Sequence, residues 1–338
     1  MPTLSMYVGF SEMSFLLIPD GAAETGDSKK YKTFTFPYVS DNPAFVKEVL
    51  HVACKELKVD IKECQLLVSS FPSASFDYLN PVLSTTLEKL PINLQNIYPI
   101  FVSNFTLITP NGFMSAVDTS SLDANEVNSF ANLVLYRQII PNDSFDQYNV
   151  DNSIKLYPVE LVLPQPNAPV IFSGDRFSTL LKEESSTYML CFDLIKTPGI
   201  FTLKLDHQNV LPNIALSTAY NKENSRLLED MELTTLGTLI NASGRVECLV
   251  ESEDGSSVLL QVEENDLFIY PMLNGAQSRV LIKNSTLGTI DTTVSGGRVG
   301  LIIDTRAKCS QNYFKKKFIA ENLKNWVSRI EEALCTYQ

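Results

Sequence analysis

Histidine is nearly missing from this chain. Of 338 residues only two are histidine and one is tryptophan. A Ser-His-Asp hydrolytic triad needs a histidine base, and a zinc site needs three or four converging ligands. His51 precedes Cys54 by three positions and His207 follows Asp206, but neither pair is accompanied by the remaining ligands of a metal motif. The chain has no Walker loop, HExxH, G-x-S-x-G or EF-hand pattern. Its six cysteines (Cys54, Cys64, Cys191, Cys248, Cys309 and Cys335) are scattered without a C-x-x-C pair, which predicts buried free thiols in a reducing, cytoplasmic setting. No apolar run reaches the roughly 18 residues of a membrane-spanning helix. The N-terminus carries no early Lys or Arg and makes a poor signal peptide.

Charge of one sign is also short. Twenty-seven basic residues stand against 39 acidic ones, a formal charge of −12, which disfavours binding to nucleic-acid backbones. The balance reverses at the C-terminus. From Lys308 to Gln338 six basic residues (Lys308, Lys315, Lys316, Lys317, Lys324, Arg329) face three acidic ones. Such a tail is either a solvated helix face or a dock for an acidic partner. Three neighbouring lysines fall short of the roughly 4–8 that mark a lipid-binding cluster, so peripheral membrane contact is a weak reading. Lys315, Lys316, Lys317 and the lone Trp326 are the candidate partner-binding residues of this tail.

The remaining composition, 44% hydrophobic and 20% charged, is that of a folded globular protein of about two domains. Residues 5–18 and Tyr31–Phe36 read as two strands about a polar loop. Asp41-Asn42-Pro43 opens a helix with Phe45, Val46, Val49, Leu50, Ala53 and Leu57 on one stripe. Strands are expected at Cys64–Phe71, Leu161–Leu163, Val170–Phe172 and Phe201–Leu205, with one or two more over Ile97–Ile108. Helices are expected at Tyr78–Leu90, from Asp123, and at Thr187–Ile195. Alternating strands and helices predict an α/β region over 1–222, with a sub-boundary near 95–120. Seven short strands between Leu236 and Ile303, separated by Gly-containing turns, predict a β barrel or sandwich over 223–306. An amphipathic helix from about Tyr313 to Leu334 closes the chain over 307–338 and is expected to pack on the body.

Candidate chemistry gathers at glycine turns after strands. Tyr7-Val8-Gly9-Phe10-Ser11 and Val170-Ile171-Phe172-Ser173-Gly174-Asp175 are either tight turns or places where backbone N–H groups approach a phosphate. Asp304-Thr305-Arg306 supplies a carboxylate and a guanidinium, which more often pair with each other than bind a ligand. Acidic pairs at Glu183-Glu184 and Glu263-Glu264 fit solvated turns.

Several segments, VIFSGDRFS from Val170, YMLCFDLIKTPGIFTLKLDHQNVLPNIALSTAY from Tyr188, LTTLGTLINASGRV, DLFIYPMLNGAQSRVLI, SGGRVGLIIDTRAK and NLKNWVSRIEEAL, together resemble the actin-like ATPase superfamily. Within it they are most similar to the glutamate mutase accessory family of MutL or GlmL type, over roughly residues 145–334. The resemblance implies an actin-like (ribonuclease H-like) α/β layer, with Gly9, Ser11, Gly174, Asp175 and Asp206 on the nucleotide side of a cleft. At that site the chain departs from the family. Tyr7 stands where the superfamily has its metal-organising Asp, Phe10 where a small residue belongs, and Asp175 where a second Gly touches phosphate. The span LITPNGFMSAV lacks the Asp of a second phosphate loop. The expectation is therefore a degenerate pseudo-ATPase, an accessory or scaffold protein that holds a protein partner with no cofactor. A working ATP- and Mg²⁺-dependent chaperone or reactivase, with Asp206 holding metal, is one alternative; a cytoplasmic actin-like component of a ring or filament is another.

Overall fold

The computed structural model of the chain describes residues 1–8, 12–20, 31–37, 43–70, 92–94, 106–108, 169–173, 184–195, 197–221, 223–224, 227, 231–306 and 316–336. Described strands form three sheets, two mixed and one antiparallel, with helices between and after them.

The first sheet holds β1 (Thr3–Val8), β2 (Glu12–Ile18), β3 (Lys32–Pro37), β4 (Gln65–Ser70) and β5 (Ile92–Leu94) in the order β3-β2-β1-β4-β5. β1–β2 and β2–β3 are antiparallel, whereas β1–β4 and β4–β5 are parallel. The N-terminal segment therefore makes three strands rather than the expected two. The reason is visible in the burial: β2 is buried along its whole length, so it lacks the polar face that punctuates a half-exposed strand. Helix α1 (Pro43–Leu57) covers one face. Its Val46, Val49, Leu50, Ala53 and Leu57 pack on Leu4, Met6, Val8, Met13, Phe15 and Leu17. The rings of Phe15, Phe34, Phe36 and Phe45 follow one another at 6.1–6.3 Å and bind α1 to β2 and β3.

The second sheet, in the order β12-β15-β9-β8-β7-β6, joins β6 (Thr106–Ile108), β7 (Val170–Phe172), β8 (Gly199–Leu205), β9 (Thr234–Asn241), β12 (Leu267–Tyr270) and β15 (Gly300–Asp304). The third is an antiparallel sheet of β11 (Ser257–Val262), β10 (Val246–Ser252), β13 (Gln277–Asn284) and β14 (Gly288–Ser295), in that order. The seven expected late strands are all present, but they do not make one β unit. Three of them complete a sheet begun by β6–β8, so the expected division at residue 222 runs through continuous hydrogen bonding. β9 has an apolar partner on each side, and periodicity cannot tell which strands those partners are.

The six-stranded sheet is covered on both faces. Helix α2 (Glu184–Leu194) and helix α4 (Lys316–Thr336) bury Tyr188, Phe192, Leu323, Trp326, Val327 and Ile330 against Phe172, Leu203, Leu236 and Ile302. On the other face Ile240, Leu301 and Ile303 meet Val246, Cys248, Val280 and Ile282 of the antiparallel sheet. The close contact between β9 and β15 is made by glycine. Gly237 has φ +135°, and a Cβ there would lie 1.9 Å from the Gly300 carbonyl oxygen. Gly297 is also too tight for a side chain, since its Cβ would lie 2.5 Å from the Gly237 nitrogen. The glycines of the closing SGGRVG block thus serve backbone approach.

Arg306 pins α4 to this layer. Its guanidinium is fully buried, 2.7 Å from Asp304 and 2.8 Å from Asp193, and stands 4.9 Å above the Trp326 ring. Asp304 and Arg306 pair with each other, as the sequence favours, and α2 supplies a second carboxylate that no local motif announced. Trp326 is 1% exposed, so its ring offers no surface to a partner, contrary to its place among the expected docking residues. Lys316 and Lys317 lie in the first turn of α4, while Lys315 is outside the described residues. The expected features at Tyr78–Leu90, after Asp123 and at Leu161–Leu163 also lie outside them. No described helix is long and apolar enough to cross a membrane.

Replacing Arg306 with Ala leaves the buried Asp304 and the largely enclosed Asp193 without their counter-charge. The expected cost is about 3–5 kcal/mol, because breaking a buried pair strands a charge. Urea unfolding followed by the fluorescence of Trp326, the only tryptophan, measures it; a loss below about 1 kcal/mol would show that the network contributes little.

Candidate functional site

Of the five residues assigned to the cleft, Asp206 is described, whereas Gly9, Ser11, Gly174 and Asp175 lie outside the described residues. Asp206 follows the last residue of β8, and Ser173 follows the last residue of β7. The strands are parallel with Phe172 opposite Leu205, so the two residues emerge side by side at the carboxyl ends. This is the end of a parallel sheet where ligands commonly sit. The Asp206 amide donates to the Phe172 carbonyl at 2.9 Å, and the Ser173 hydroxyl donates to Asp206 Oδ2 at 2.8 Å.

The rest of the Asp206 carboxylate faces helix α3 (Leu211–Tyr220). Oδ1 accepts from the Val210 amide at 3.0 Å and Oδ2 from the Leu211 amide at 2.8 Å. Pro212, at the next position, has no amide to satisfy. The carboxylate therefore does the work of a helix cap from four residues upstream, and its charge suits the positive end of the helix. Burial nevertheless pushes the Asp206 carboxyl above its ordinary value of 3.8, against the lowering effect of these three donors and of nearby His207.

The segment Asp206–Tyr220 also reaches the first sheet. Gln208 accepts from Thr33 Oγ1 and Thr35 Oγ1 at 3.1 and 3.2 Å. The Asn209 carbonyl accepts from Ser14 Oγ at 3.0 Å. Asn213 donates through Nδ2 to Ser14 Oγ at 2.8 Å and accepts through Oδ1 from Ser5 Oγ at 2.9 Å. Apolar contacts flank this polar seam, with Leu16 and Ile18 against Val210 and Ile214, and Ile171 against Leu211. Asn209 takes φ +53°, and both of its side-chain polar atoms are buried without a hydrogen-bond partner among the described residues. His207 Nδ1 is 3.0 Å from Thr234 Oγ1.

The arrangement joins the two sheets and holds the Asp206 carboxylate in place. Every oxygen of the Asp206 carboxylate receives protein donors. Tyr7, at the position expected to hold the metal-organising acid, is 8% exposed within β1, opposite Ser14 and Ser69. His51 is exposed on α1 whereas Cys54 is buried, so they do not form half of a metal site. Among the described residues, no group of three His, Cys, Asp or Glu side chains is placed to hold a metal ion. The sequence reading missed Ser5, Ser14, Gln208, Asn209 and Asn213. The available signal was a pair of serines inside otherwise apolar strands, with an Asn on each side of Val210-Leu211-Pro212. A scan against protein-family models finds no family matching this chain, and a search of curated proteins finds no relative.

Asn213→Ala leaves the Ser5 and Ser14 hydroxyls short of their buried partner, with an expected loss of about 1–3 kcal/mol. Asn209→Gly keeps the left-handed backbone accessible and removes an unpartnered amide; its stability is expected within about 1 kcal/mol of the parent. Chemical denaturation of both variants tests the contrast, and an Asn209 variant as damaged as the Asn213 variant would contradict it. The pH dependence follows from Asp206. Its raised value means that the folded protein holds a proton the unfolded chain has released. The stability it contributes is complete below 3.8 and is lost as pH rises through the raised value. Asp206→Asn is neutral at every pH and removes that window, so the parent's unfolding energy should fall relative to the variant's as pH rises across it.

Proposed function

We propose that this protein is a non-catalytic accessory or scaffold protein of the cytoplasm, built on a degenerate actin-like frame, that works by holding a protein partner. Asp206 carries the reading. It is the one described acid of the expected nucleotide-side cleft, and its carboxylate is committed to Ser173 and to the amides that open α3. A metal-holding role would require it to give up a helix cap on which the seam between two sheets rests. Tyr7 supports the same conclusion from the other sheet: a phenol packed inside β1 supplies no carboxylate for magnesium.

The fold supports the actin-like part of the proposal at the level of layout. The first sheet begins with an antiparallel β1-β2-β3 meander, continues into parallel β4 and β5, and has α1 on the crossover. The sequence similarity to the glutamate mutase accessory family, strongest in the SGGRVGLIIDTRAK block, points the same way. There the glycines hold β9 and β15 together and Asp304 with Arg306 anchors the last helix. A block of that kind preserves a frame without preserving a phosphate site.

Calorimetric titration of the full chain with ATP and Mg²⁺ tests the reading. The expected result is no saturable binding up to about 1 mM. Metal-dependent binding tighter than that, or phosphate release that Asp206→Asn abolishes, would overturn it in favour of an ATPase.

A further inference from the structure

The antiparallel sheet has two edges, and they differ in chemistry. β14 turns Thr289, Asp291 and Thr293 outward, and Asp291 is held by Arg279 at 2.6 Å. A charge of this kind protects an edge against pairing. β11 has no such device. Its six residues, Ser-Val-Leu-Leu-Gln-Val, include no charge and no proline. Among the described residues nothing pairs with its outer side. At β12, the edge of the six-stranded sheet beside α4, Arg329 reaches Asp266 and the Leu267 carbonyl.

Leu260 and Val262 of β11 point into the core, while Leu259 is 59% and Val258 41% exposed. Leu259 lies opposite Leu249, which lies opposite Leu281, so a row of leucines crosses the outward face and ends at the open edge. The two ends of β11 are acidic. Glu253 and Asp254 precede it, Glu263 and Glu264 follow it, and all four are exposed. Arg245 answers Glu263 only at 3.7 Å. An uncharged centre between acidic ends is complementary to a strand with an apolar centre and basic ends.

We propose that β11 is a docking edge that captures an extended, basic-ended apolar segment of a partner protein as a fifth strand of this sheet. The assignment rests on the reading that the protein holds a partner, and it names the partner's chemistry. A second copy of this chain fits less well. Antiparallel self-pairing with Leu259 opposite itself keeps each side chain on its proper face, but it sets Asp254 against Glu264 at both ends. An anionic membrane is repelled by the same acids.

The test uses the full chain and a fluorescent synthetic peptide of sequence Lys-Lys-Thr-Val-Thr-Val-Thr-Lys-Lys, with a second peptide carrying Glu in place of every Lys. Anisotropy titration is expected to saturate for the lysine peptide below about 1 mM and to weaken with added salt. Amide resonances of residues 257–262 should shift. Leu259→Lys changes an exposed side chain, so it should leave the melting temperature unchanged while weakening the peptide roughly tenfold or more. Glu263→Lys with Glu264→Lys should shift preference toward the glutamate peptide. Absence of saturation, equal binding of both peptides by the parent, or amide shifts elsewhere would overturn the assignment. So would a dimer in light scattering that Leu259→Lys abolishes, because the edge would then belong to a second copy. The two readings fail separately. Peptide binding alongside Mg²⁺-ATP binding removes the scaffold reading and keeps the edge, while neither binding removes the edge and keeps the scaffold.

Discussion

A single buried carboxylate governs how the described parts of this protein meet. Asp206 sits where β8 ends and α3 begins, and each of its oxygens is occupied by donors from β7's end or α3's first turn. A carboxylate at a helix start is favourable in any protein. Here it also sets the direction of α3, and α3 carries Asn213 to Ser5 and Ser14 on the first sheet. If the cap loosened, the polar groups of that seam would be left facing one another without register. The burial that raises the carboxyl's proton affinity is a consequence of the joint.

A second buried charge plays the corresponding part at the far side of the six-stranded sheet. Arg306 collects Asp304 from its own strand end, Asp193 from α2 and the Trp326 ring from α4. Ion pairs of this kind add little net stability compared with apolar packing, but they punish any arrangement that leaves one partner alone. Their effect is to select one docking of α4. The glycines at 237, 297 and 300 act at the same place by geometry, letting two backbones approach to a distance that any side chain would block. The glycines, Asp304 and Arg306 of the closing block are thus engaged in packing and pairing.

Among the described residues, neither anchor includes a strand of the outer antiparallel sheet. Its inner face is spent on the core, through Val246, Cys248, Val280 and Ile282, and its outer face keeps the leucine row and the acid-flanked edge.

Local periodicity was enough to place α1, α4 and the strands from β9 to β15, because each has one apolar face or stripe and a turn signal at its end. It was enough, too, to pair Asp304 with Arg306, two residues apart. It failed where burial is two-sided. β1 and β2 show no alternation because both faces are buried, so the three-strand start stayed hidden, and the mixed six-stranded sheet stayed hidden because distant segments set its strand order. Asn213 and Ser5 are 208 positions apart, and Arg306 and Asp193 are brought together across most of the second half of the chain. The amino-acid sequence by itself determined the scarcity of catalytic groups, the acidic charge and the repertoire of elements, since those depend on composition and near neighbours. Only the tertiary structure decided that Asp206 is a cap, that Trp326 is core and that β11 is, among the described residues, the edge of its sheet, because each depends on which distant segment occupies the space beside it.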